Sequence, residues 1–440
     1  MILIEYVPCT FGVSIIIPIP KAGKSPNDVE GYRGISLTPV ISKIFEQCLL
    51  VKFLPFLATS DRQFGFKAGT GCSSAIYTVR QTIQFFEKKL STVSVCSLDL
   101  EKAFDKMNRH ALFIKMMNRG CPLSLINIFD GWFAKSVARV RWGESVSEEF
   151  KVNSGTRQGG VCSPALFAIF IDDLLRKLEH SNVGCFIHNI CHNSYLYADD
   201  LIMLSLSIQD MLTMLEICRR ELCWLDMRLN IKKSCALRIG ERWNTPLEAL
   251  TVGGEAITWA TEIKYLGITF VAAKKFTINL HGAKLGFFRS LNAILGKIGD
   301  MEAISLILSI TASNCLPILT YGLEACSLTK AQMHSLEYAF NAVYCKLFKT
   351  FDRAIITQCQ YFTATLPAHF AVDLCKMRFL NRVKFTACSP AEFLCRVAGE
   401  GECAELERKY NVSLPTYNAN LKRAVWQLFE AGLQLDINDD

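Results

Sequence analysis

Tyr197-Ala198-Asp199-Asp200 lies between two apolar runs, Ser194–Leu196 and Leu201–Leu204. Both runs have the composition of β-strands, so the sequence predicts a hairpin with two adjacent carboxylates at its tip. Two neighbouring anions repel each other unless a cation lies nearby. A third carboxylate, Asp99, ends another apolar run at 93–98. Three carboxylates brought together would form an oxygen-rich site for Mg²⁺, which can support two-metal phosphoryl transfer. The competing interpretation is an ordinary Asp-rich turn.

The composition indicates an intracellular protein. The chain has 440 residues, 50% of them hydrophobic, with a net charge of +7, which permits a polyanionic partner without requiring one. Its 19 cysteines are scattered through apolar segments and are expected to be reduced. No secretory signal is apparent, and the longest apolar stretch, 165–171, is too short to span a bilayer. We therefore expect no membrane partner.

The order of elements predicts an α+β fold, an antiparallel sheet backed by helices. Helices are expected at about 38–56, 73–90 and 102–117. Another is expected to begin with Ser163 as N-cap and Pro164 at the first helical position. Ser207 begins a predicted capping box for a helix reaching about residue 228. Gly253-Gly254 predicts a tight turn between strands, and the chain from about 275 onward is mostly helical in pattern.

Seven short blocks follow one another along the chain: Ile17–Lys21 with Tyr32–Leu37, Gln63–Phe66, Asp99–Asp105, Gly155–Gly160 with Ser163–Phe167, Tyr197–Asp200, Leu229–Ser234 and Tyr265–Gly267. In this order they resemble the reverse transcriptase of non-LTR (LINE-like) retrotransposons. A further segment, Leu316–Gly322, resembles the thumb side of such elements. This resemblance implies a right-hand polymerase with fingers, a palm and a helical thumb.

The resemblance assigns the metal-binding and catalytic residues. Asp99, Asp199, Asp200 and the Leu100 carbonyl are implied as ligands of two Mg²⁺ ions, with Mn²⁺ as a possible substitute. Lys233 is the implied general acid for the departing pyrophosphate. Its neighbour Lys232 is left open as the alternative.

The nucleotide-binding residues implied by the resemblance are Lys21, Arg33, Phe104 and Gln158. The two cations would bind the triphosphate, although outside these blocks such residues are more often solvated surface cations. Lys24 is left open as the alternative to Lys21. Phe104 would exclude a 2′-hydroxyl, or serve as a core aromatic. Gln158 would hydrogen-bond the nucleotide or its template base, or face water in a turn. Tyr265, Leu266 and Gly267 form the implied primer grip.

The implied activity is RNA-directed DNA synthesis on an RNA template from a DNA primer and dNTPs. Expected boundaries are 1–271 for fingers and palm, 272–350 for a thumb-like region and 351–440 for a helical tail. Because the first block lies within about 20 residues of Met1, we expect the endonuclease of such elements to be separate or missing. A truncated, inactive relic that only binds RNA or RNA–DNA hybrid is the alternative, and a group II intron-like maturase is a related enzyme. The expected location is the cytoplasm or nucleus, as a ribonucleoprotein.

A second metal interpretation concerns Cys185, His188, Cys191 and His192. Their spacing is not that of a familiar structural zinc site, and strand alternation would direct the side chains to different faces. Zinc is therefore the weaker interpretation of this cluster.

Overall fold

The computed structural model describes residues 1–2, 4–21, 23–101, 103–298, 304–386 and 389–438, with side chains up to residue 433 in the last helix. The strands are β1 (Val13–Pro20), β2 (Tyr32–Leu37), β3 (Val93–Leu98), β4 (Val137–Trp142), β5 (Ser145–Val146), β6 (Phe150–Lys151), β7 (Phe186–Ile187), β8 (Ile190–Cys191), β9 (Ser194–Tyr197), β10 (Asp200–Ser205), β11 (Cys235–Ile239), β12 (Leu250–Val252), β13 (Glu255–Trp259), β14 (Glu262–Tyr265), β15 (Ile268–Val271) and β16 (Thr277–Asn279).

The helices are α1 (Cys9–Gly12), α2 (Val40–Lys52), α3 (Cys72–Glu87), α4 (Ala103–Lys106), α5 (Arg109–Asn118), α6 (Leu123–Ala134), α7 (Ser163–Glu179), α8 (Ile208–Trp224), α9 (His281–Ile298), α10 (Ile304–Ile310), α11 (Leu316–Thr320), α12 (Lys330–Phe348), α13 (Arg353–Phe362), α14 (Ala368–Phe385), α15 (Pro390–Val397), α16 (Glu400–Tyr410) and α17 (Asn418–Asn438). A π-helical turn, Thr311–Cys315, joins α10 to α11. The predicted α+β class is confirmed.

Two compact units divide the chain. The first contains Met1–Ala68, Cys96–Cys235 and Ala249–Thr258, and the second contains Gly69–Val95, Ala236–Glu248 and Trp259–Asp440. These units are defined by contacts and do not test the functional boundaries predicted at 271 and 350, which stay predictions.

The main sheet has the strand order β12-β13-β11-β3-β10-β9. The predicted hairpin is present, since β9 and β10 pair antiparallel with Leu201 opposite Leu196. Leu201 to Leu204 are fully buried, which explains a continuous apolar run in place of alternation. Helices α7 and α8 pack against β9 and β10 respectively. The carboxylates therefore extend from a rigid, buried support.

A second sheet in the first unit has the order β2-β1-β4-β5, with β6 also paired to β4. Strand β1 pairs antiparallel with β2, placing Arg33 opposite Ile19, and parallel with β4. The second unit contains the meander β14-β15-β16. The Gly253-Gly254 turn between β12 and β13 is confirmed, with positive φ at both glycines.

Two predicted helix starts need correction. The helix expected at 102–117 is divided into α4 and α5, because the Asn108 side chain accepts a hydrogen bond from the Ala111 N–H at 3.1 Å and begins a new helix. The N-cap of α7 is Cys162, so Ser163 is its first residue. Ser207 is confirmed as the N-cap of α8, which ends at Trp224.

An ion network is buried in the second unit. The Arg80 side chain, 1% exposed on α3, donates to both carboxylate oxygens of Glu402 on α16, at 2.7 and 3.2 Å. Lys376 Nζ on α14 lies 2.6 Å from Glu402 Oε1. Since α3 is enclosed on nearly all sides, its one arginine depends on this carboxylate for a counter-charge.

Within the described residues, one helical stretch, Ile304–Ala325, is long and apolar enough to cross a membrane, by length and composition only. Of its most apolar window, 22% is buried. A single such helix is weak evidence, because core helices of soluble proteins pass the same test. The expectation of no membrane partner stays a prediction.

Candidate active site

The turn at the tip of the hairpin is conformationally strained. Ala198 and Asp199 connect β9 to β10, and Ala198 has φ of 57°, a left-handed conformation unfavourable for a residue with a Cβ. Gly65 packs directly against this turn, since a Cβ at position 65 would lie 2.6 Å from the Ala198 nitrogen. The turn therefore requires glycine at 65, which gives the Gly-rich block a structural purpose.

The segment leading to Gly65 holds the hairpin from its outer edge. The Phe64 N–H donates to the Leu196 carbonyl at 2.8 Å, and the Leu196 N–H donates to the Arg62 carbonyl at 3.0 Å. This backbone pairing fixes β9 just before the two carboxylates.

Asp99 follows β3 and is fixed through its main chain. Its N–H donates to Ser234 Oγ at 3.2 Å, and its carbonyl accepts from the Asn230 N–H at 2.8 Å. Leu100 pairs with Leu229 between two flanking hydrogen bonds, so the Leu100 carbonyl is directed away from Leu229. The Asn230–Ser234 block thus positions both predicted ligands on this strand.

The three carboxylates act on one another electrostatically. Desolvation by the surrounding protein and the neighbouring Asp199 and Asp99 raise the pKa of Asp200 to about 6, although its side chain is exposed by surface area. Desolvation also raises the pKa of Asp199, with Asp99 adding to the effect and Arg33 opposing it. Repulsion among three acids from two strands is what a bound cation would relieve.

The donor chemistry fits a hard divalent ion, because carboxylate and carbonyl oxygens are the ligands that Mg²⁺ prefers. Among the residues that the structure describes, no set of three His, Cys, Asp or Glu side chains is already arranged to hold a metal ion. The carboxylates thus influence one another without forming a closed ligand cage. A metal would have to draw them together.

Two of the three predicted cations face these acids. Lys233 Nζ lies 3.5 Å from Asp99 Oδ2, so of Lys232 and Lys233 it is Lys233 that the structure places beside the carboxylate. Arg33, exposed on β2, acts electrostatically on Asp199. Lys21 is engaged locally, since its Nζ donates to the Glu30 carbonyl at 2.9 Å. That contact favours a loop-stabilising part for Lys21.

Phe104 is half-buried on α4 between two other aromatic rings. It stacks on Phe167 with ring centroids 4.5 Å apart and meets Phe66 edge-on at 6.2 Å. The two interpretations of Phe104, core aromatic and nucleotide contact, are therefore compatible. Phe66 is 49% exposed and immediately follows Gly65, which packs against the Ala198–Asp199 turn. Phe66 thus lies beside the candidate site, a position that the sequence did not single out.

Gln158 lies in the loop before α7, and its side chain reaches α4. Its side-chain Nε2 donates to Asp105 Oδ1 at 3.0 Å, and its main-chain carbonyl accepts from the Ser36 N–H at 2.7 Å. Gly159 has φ of 120°, and a Cβ there would lie 2.6 Å from the Ser36 carbonyl oxygen. The loop is thus bound to β2, the strand that also presents Arg33.

Glu46 is a further residue that sequence reasoning missed. It is 5% exposed on α2, and its Oε2 accepts from the Cys162 N–H at 2.6 Å, at the start of α7. The available signal was its spacing, because Glu46 falls on the same helix face as the buried Ser42 and Leu49.

The family comparison matches residues 19–270 to reverse transcriptase (RNA-dependent DNA polymerase), which is more than half of the chain. The chain belongs to the reverse transcriptase family. The predicted recognition is confirmed, and the match includes every implied metal, nucleotide and primer-grip position.

Curated relatives of this reverse transcriptase are mobile-element proteins. The R2DM Pol polyprotein of Drosophila melanogaster is 26% identical over 274 residues, covering 60% of this chain and 26% of the relative. The polymerase of the mobile element jockey from the same organism is 26% identical over 340 residues, covering 73% and 36%. The chain thus spans about a quarter to a third of the length of these relatives. Among solved structures, apo telomerase of Candida tropicalis has a TM-score of 0.45 at 14% identity, covering 87% of this chain and 69% of that one.

The segment predicted as the primer grip, Tyr265–Gly267, forms a tight turn between β14 and β15. Leu266 and Gly267 both have positive φ, at 46° and 87°. A Cβ at Gly267 would lie 2.7 Å from the Tyr321 ring, and a Cβ at Gly322 would lie 2.9 Å from Ile268. Two blocks predicted separately from the sequence therefore pack together, each through a glycine.

The cysteine–histidine cluster has an ordinary structural explanation. His192 is buried, its Nδ1 lies 2.6 Å from the Tyr195 hydroxyl, and desolvation lowers its pKa to about 3. Within the described residues, no three His, Cys, Asp or Glu side chains of this cluster are grouped to hold a metal ion. Every cysteine in the described part of the chain is a free thiol, as predicted.

Proposed function

We propose that this chain is the RNA-directed DNA polymerase of a mobile element, adding dNMPs to a primer 3′-hydroxyl by two-metal phosphoryl transfer. The observation that supports this most is the mutual electrostatic effect of Asp99, Asp199 and Asp200 inside the region that matches the family. Neither the composition nor the hairpin alone would distinguish this chemistry from an acidic turn.

In this proposal, Asp99, Asp199, Asp200 and the Leu100 carbonyl would hold two Mg²⁺ ions, with Mn²⁺ as a substitute. The chemistry that such a pair would supply is activation of the primer hydroxyl and neutralisation of the triphosphate charge. A cation held beside Asp200 would lower its raised pKa of about 6, so that the protonated fraction that remains at neutral pH would be lost.

The remaining residues act on the nucleotide. Arg33 can bind phosphate oxygens bidentately, and Lys233, beside Asp99, can donate a proton to the departing pyrophosphate. Phe104, supported from below by Phe167, would contact the sugar. Gln158 would contact the base or its template partner, and Lys21 would support the loop near the phosphates.

The proposed partners are an RNA template, a DNA primer and dNTPs. Binding to the hybrid through backbone phosphates would weaken steeply with salt. The primer grip at Tyr265–Gly267, the thumb-like region 272–350 and the tail 351–440 are proposed assignments, as are a separate endonuclease and an intracellular ribonucleoprotein location.

The second candidate is a catalytically inactive relic that binds RNA or hybrid. The open arrangement of the carboxylates within the described residues favours it, because no closed metal cage is preformed. The two functions differ in whether added metal produces synthesis.

Primer extension on a poly(rA)–oligo(dT) hybrid tests the proposal. We expect Mg²⁺-dependent dTMP incorporation that Asp199→Asn abolishes and that Asp130→Asn, an exposed carboxylate on α6, leaves unchanged. Salt-dependent hybrid binding with no incorporation at any Mg²⁺ or Mn²⁺ concentration would instead establish the relic.

A further inference from the structure

The loop containing Gln158 is fixed at its end by a buried carboxylate, which accepts a hydrogen bond from the Cys162 N–H. We propose that Glu46 is a positioning residue for nucleotide binding: it fixes the Arg157–Cys162 loop and thereby the direction of the Gln158 side chain. This inference rests on the proposed polymerase function and adds to it a residue on α2, remote in sequence from the palm motifs.

The first contact is at the end of the loop. Glu46 Oε2 accepts from the Cys162 N–H at 2.6 Å, and the Cys162 thiol donates to the Glu46 carbonyl at 3.4 Å. The cap position of α7 supplies no side-chain hydrogen bond of its own. Glu46 therefore serves as the cap of α7 from another helix, with its charge at the positive end of the helix dipole.

The second contact is at the beginning of the loop. Arg157 NH1 donates to the Phe11 carbonyl at 2.8 Å, and NH2 donates to Ser136 Oγ at 3.1 Å. Arg157 and Lys43 also act electrostatically on Glu46, and Glu46 and Arg157 both line a small cavity of about 30 Å³ together with Trp132. The start of the loop is thus held by hydrogen bonds from Arg157, and its end by the Glu46 carboxylate.

Between these two anchors the loop has little freedom. A Cβ at Gly160 would lie 2.6 Å from Ser163 Oγ and 3.4 Å from Glu46 Oε2, and Gly159 presses against Ser36. Gln158 is consequently held over Asp105 on α4, the helix that carries Phe104. Loss of the carboxylate would release the Cys162 anchor without removing any group that touches the nucleotide.

The test is a double-mutant cycle in primer extension with Glu46→Gln and Gln158→Ala. Glu46→Gln keeps the size of the side chain and removes its charge. We expect the KM for dNTP to rise about tenfold with kcat nearly unchanged. The reason is that the substitution removes one charge-assisted hydrogen bond that orients the nucleotide-binding loop, so it weakens binding and not the chemical step. In the Gln158→Ala background the same substitution should change KM less than about twofold. Glu46→Asp keeps the charge but shortens the side chain, so its KM for dNTP should lie between those of the wild type and Glu46→Gln. It replaces Glu46→Gln in the cycle if that variant fails to fold.

Asp172→Asn is the matched control. Asp172 is also fully buried, accepts from a loop N–H (Ser60, 2.6 Å) and pairs with Arg176, but it lies away from the 157–162 loop. It should lower thermal stability and leave the KM for dNTP unchanged.

Three outcomes overturn the inference. They are equal effects of Glu46→Gln in both backgrounds, an unchanged KM, or the same rise in KM for Asp172→Asn. If incorporation is weak, the same double-mutant cycle can be measured through dNTP affinity. The readout is then equilibrium binding of dNTP to the complex of the protein with a hybrid whose primer is chain-terminated. If the wild type is active but the effects of Glu46→Gln and Gln158→Ala simply add, only the role assigned to Glu46 is refuted. If the wild type neither binds dNTP nor incorporates it, both proposals are refuted.

Discussion

Glu402→Gln should destabilise the protein strongly, although residue 402 lies far outside the region that matches the family. The substitution removes the charge that balances Arg80 and Lys376, while leaving side-chain size and one oxygen in place. Because Arg80 is 1% and Lys376 13% exposed, neither cation can regain full hydration in the folded state.

The magnitude follows from the pKa of Glu402. Desolvation raises this pKa, but Arg80 and Lys376 outweigh it and hold the value at about 2, against an ordinary 4.5. That difference corresponds to about 3 kcal/mol in favour of the folded, ionised state. Removing one partner of a buried ion pair typically costs about 3–5 kcal/mol, which agrees with the value obtained from the pKa difference. For a unit of this size, the melting temperature should fall by roughly 6–12 °C.

The assay is urea unfolding of wild type and variant at several pH values, followed by circular dichroism. Since the folded pKa is depressed, the stability due to Glu402 is present above about pH 4.5 and is lost as the pH falls towards 2. The difference between wild type and Glu402→Gln should therefore be constant near neutrality and shrink below about pH 4.5.

Glu216→Gln is the control that makes this result specific. The pKa of Glu216 is also held at about 2, by hydrogen bonds from Arg219 and Arg220, but the site is a fully exposed surface pair. Solvent screens such pairs, so this variant should unfold like the wild type. An unchanged midpoint for Glu402→Gln, or a pH-independent difference, would refute the reasoning.

Three further predictions concern the site. Asp200→Asn should abolish incorporation yet raise the melting temperature without metal above about pH 6, because the wild-type pKa of about 6 means that ionisation opposes folding as the pH rises from about 4. This gain in melting temperature over the wild type should vanish below pH 4 and become smaller when Mg²⁺ is added. A variant that melts below the wild type at pH 8 without metal would contradict the prediction. Phe104→Ala should increase rNTP use relative to dNTP about ten- to a hundredfold in single-nucleotide extension, whereas an unchanged ratio would leave Phe104 as a core aromatic only. Gly267→Ala should impair primer binding through the clash with Tyr321 and the positive φ, while Gly254→Ala, also at positive φ but open to solvent, should not; equal hybrid affinities for the two variants would contradict this prediction.

Local patterns in the sequence were sufficient to predict the hairpin, Asp99 at a strand end and the two-glycine turn. These features depend on apolar runs and turn chemistry within a few residues. The prediction of Ser163 as an N-cap was wrong because the carboxylate that caps α7 comes from Glu46, 116 residues earlier. The Arg80–Glu402 pair escaped prediction for the same reason, since no local pattern records which distant carboxylate will neutralise a buried arginine.

The pairing of α3 with α16 also sets an order of events during synthesis. Arg80 and Glu402 are separated by 322 residues. At about 5–20 residues per second, the ribosome needs roughly 15–65 s to deliver the acid after the arginine has emerged. For that interval, the apolar sides of α3 have no finished partner and require protection from aggregation. A chain whose family match ends at residue 270 thus cannot complete this ion network until its tail has been translated.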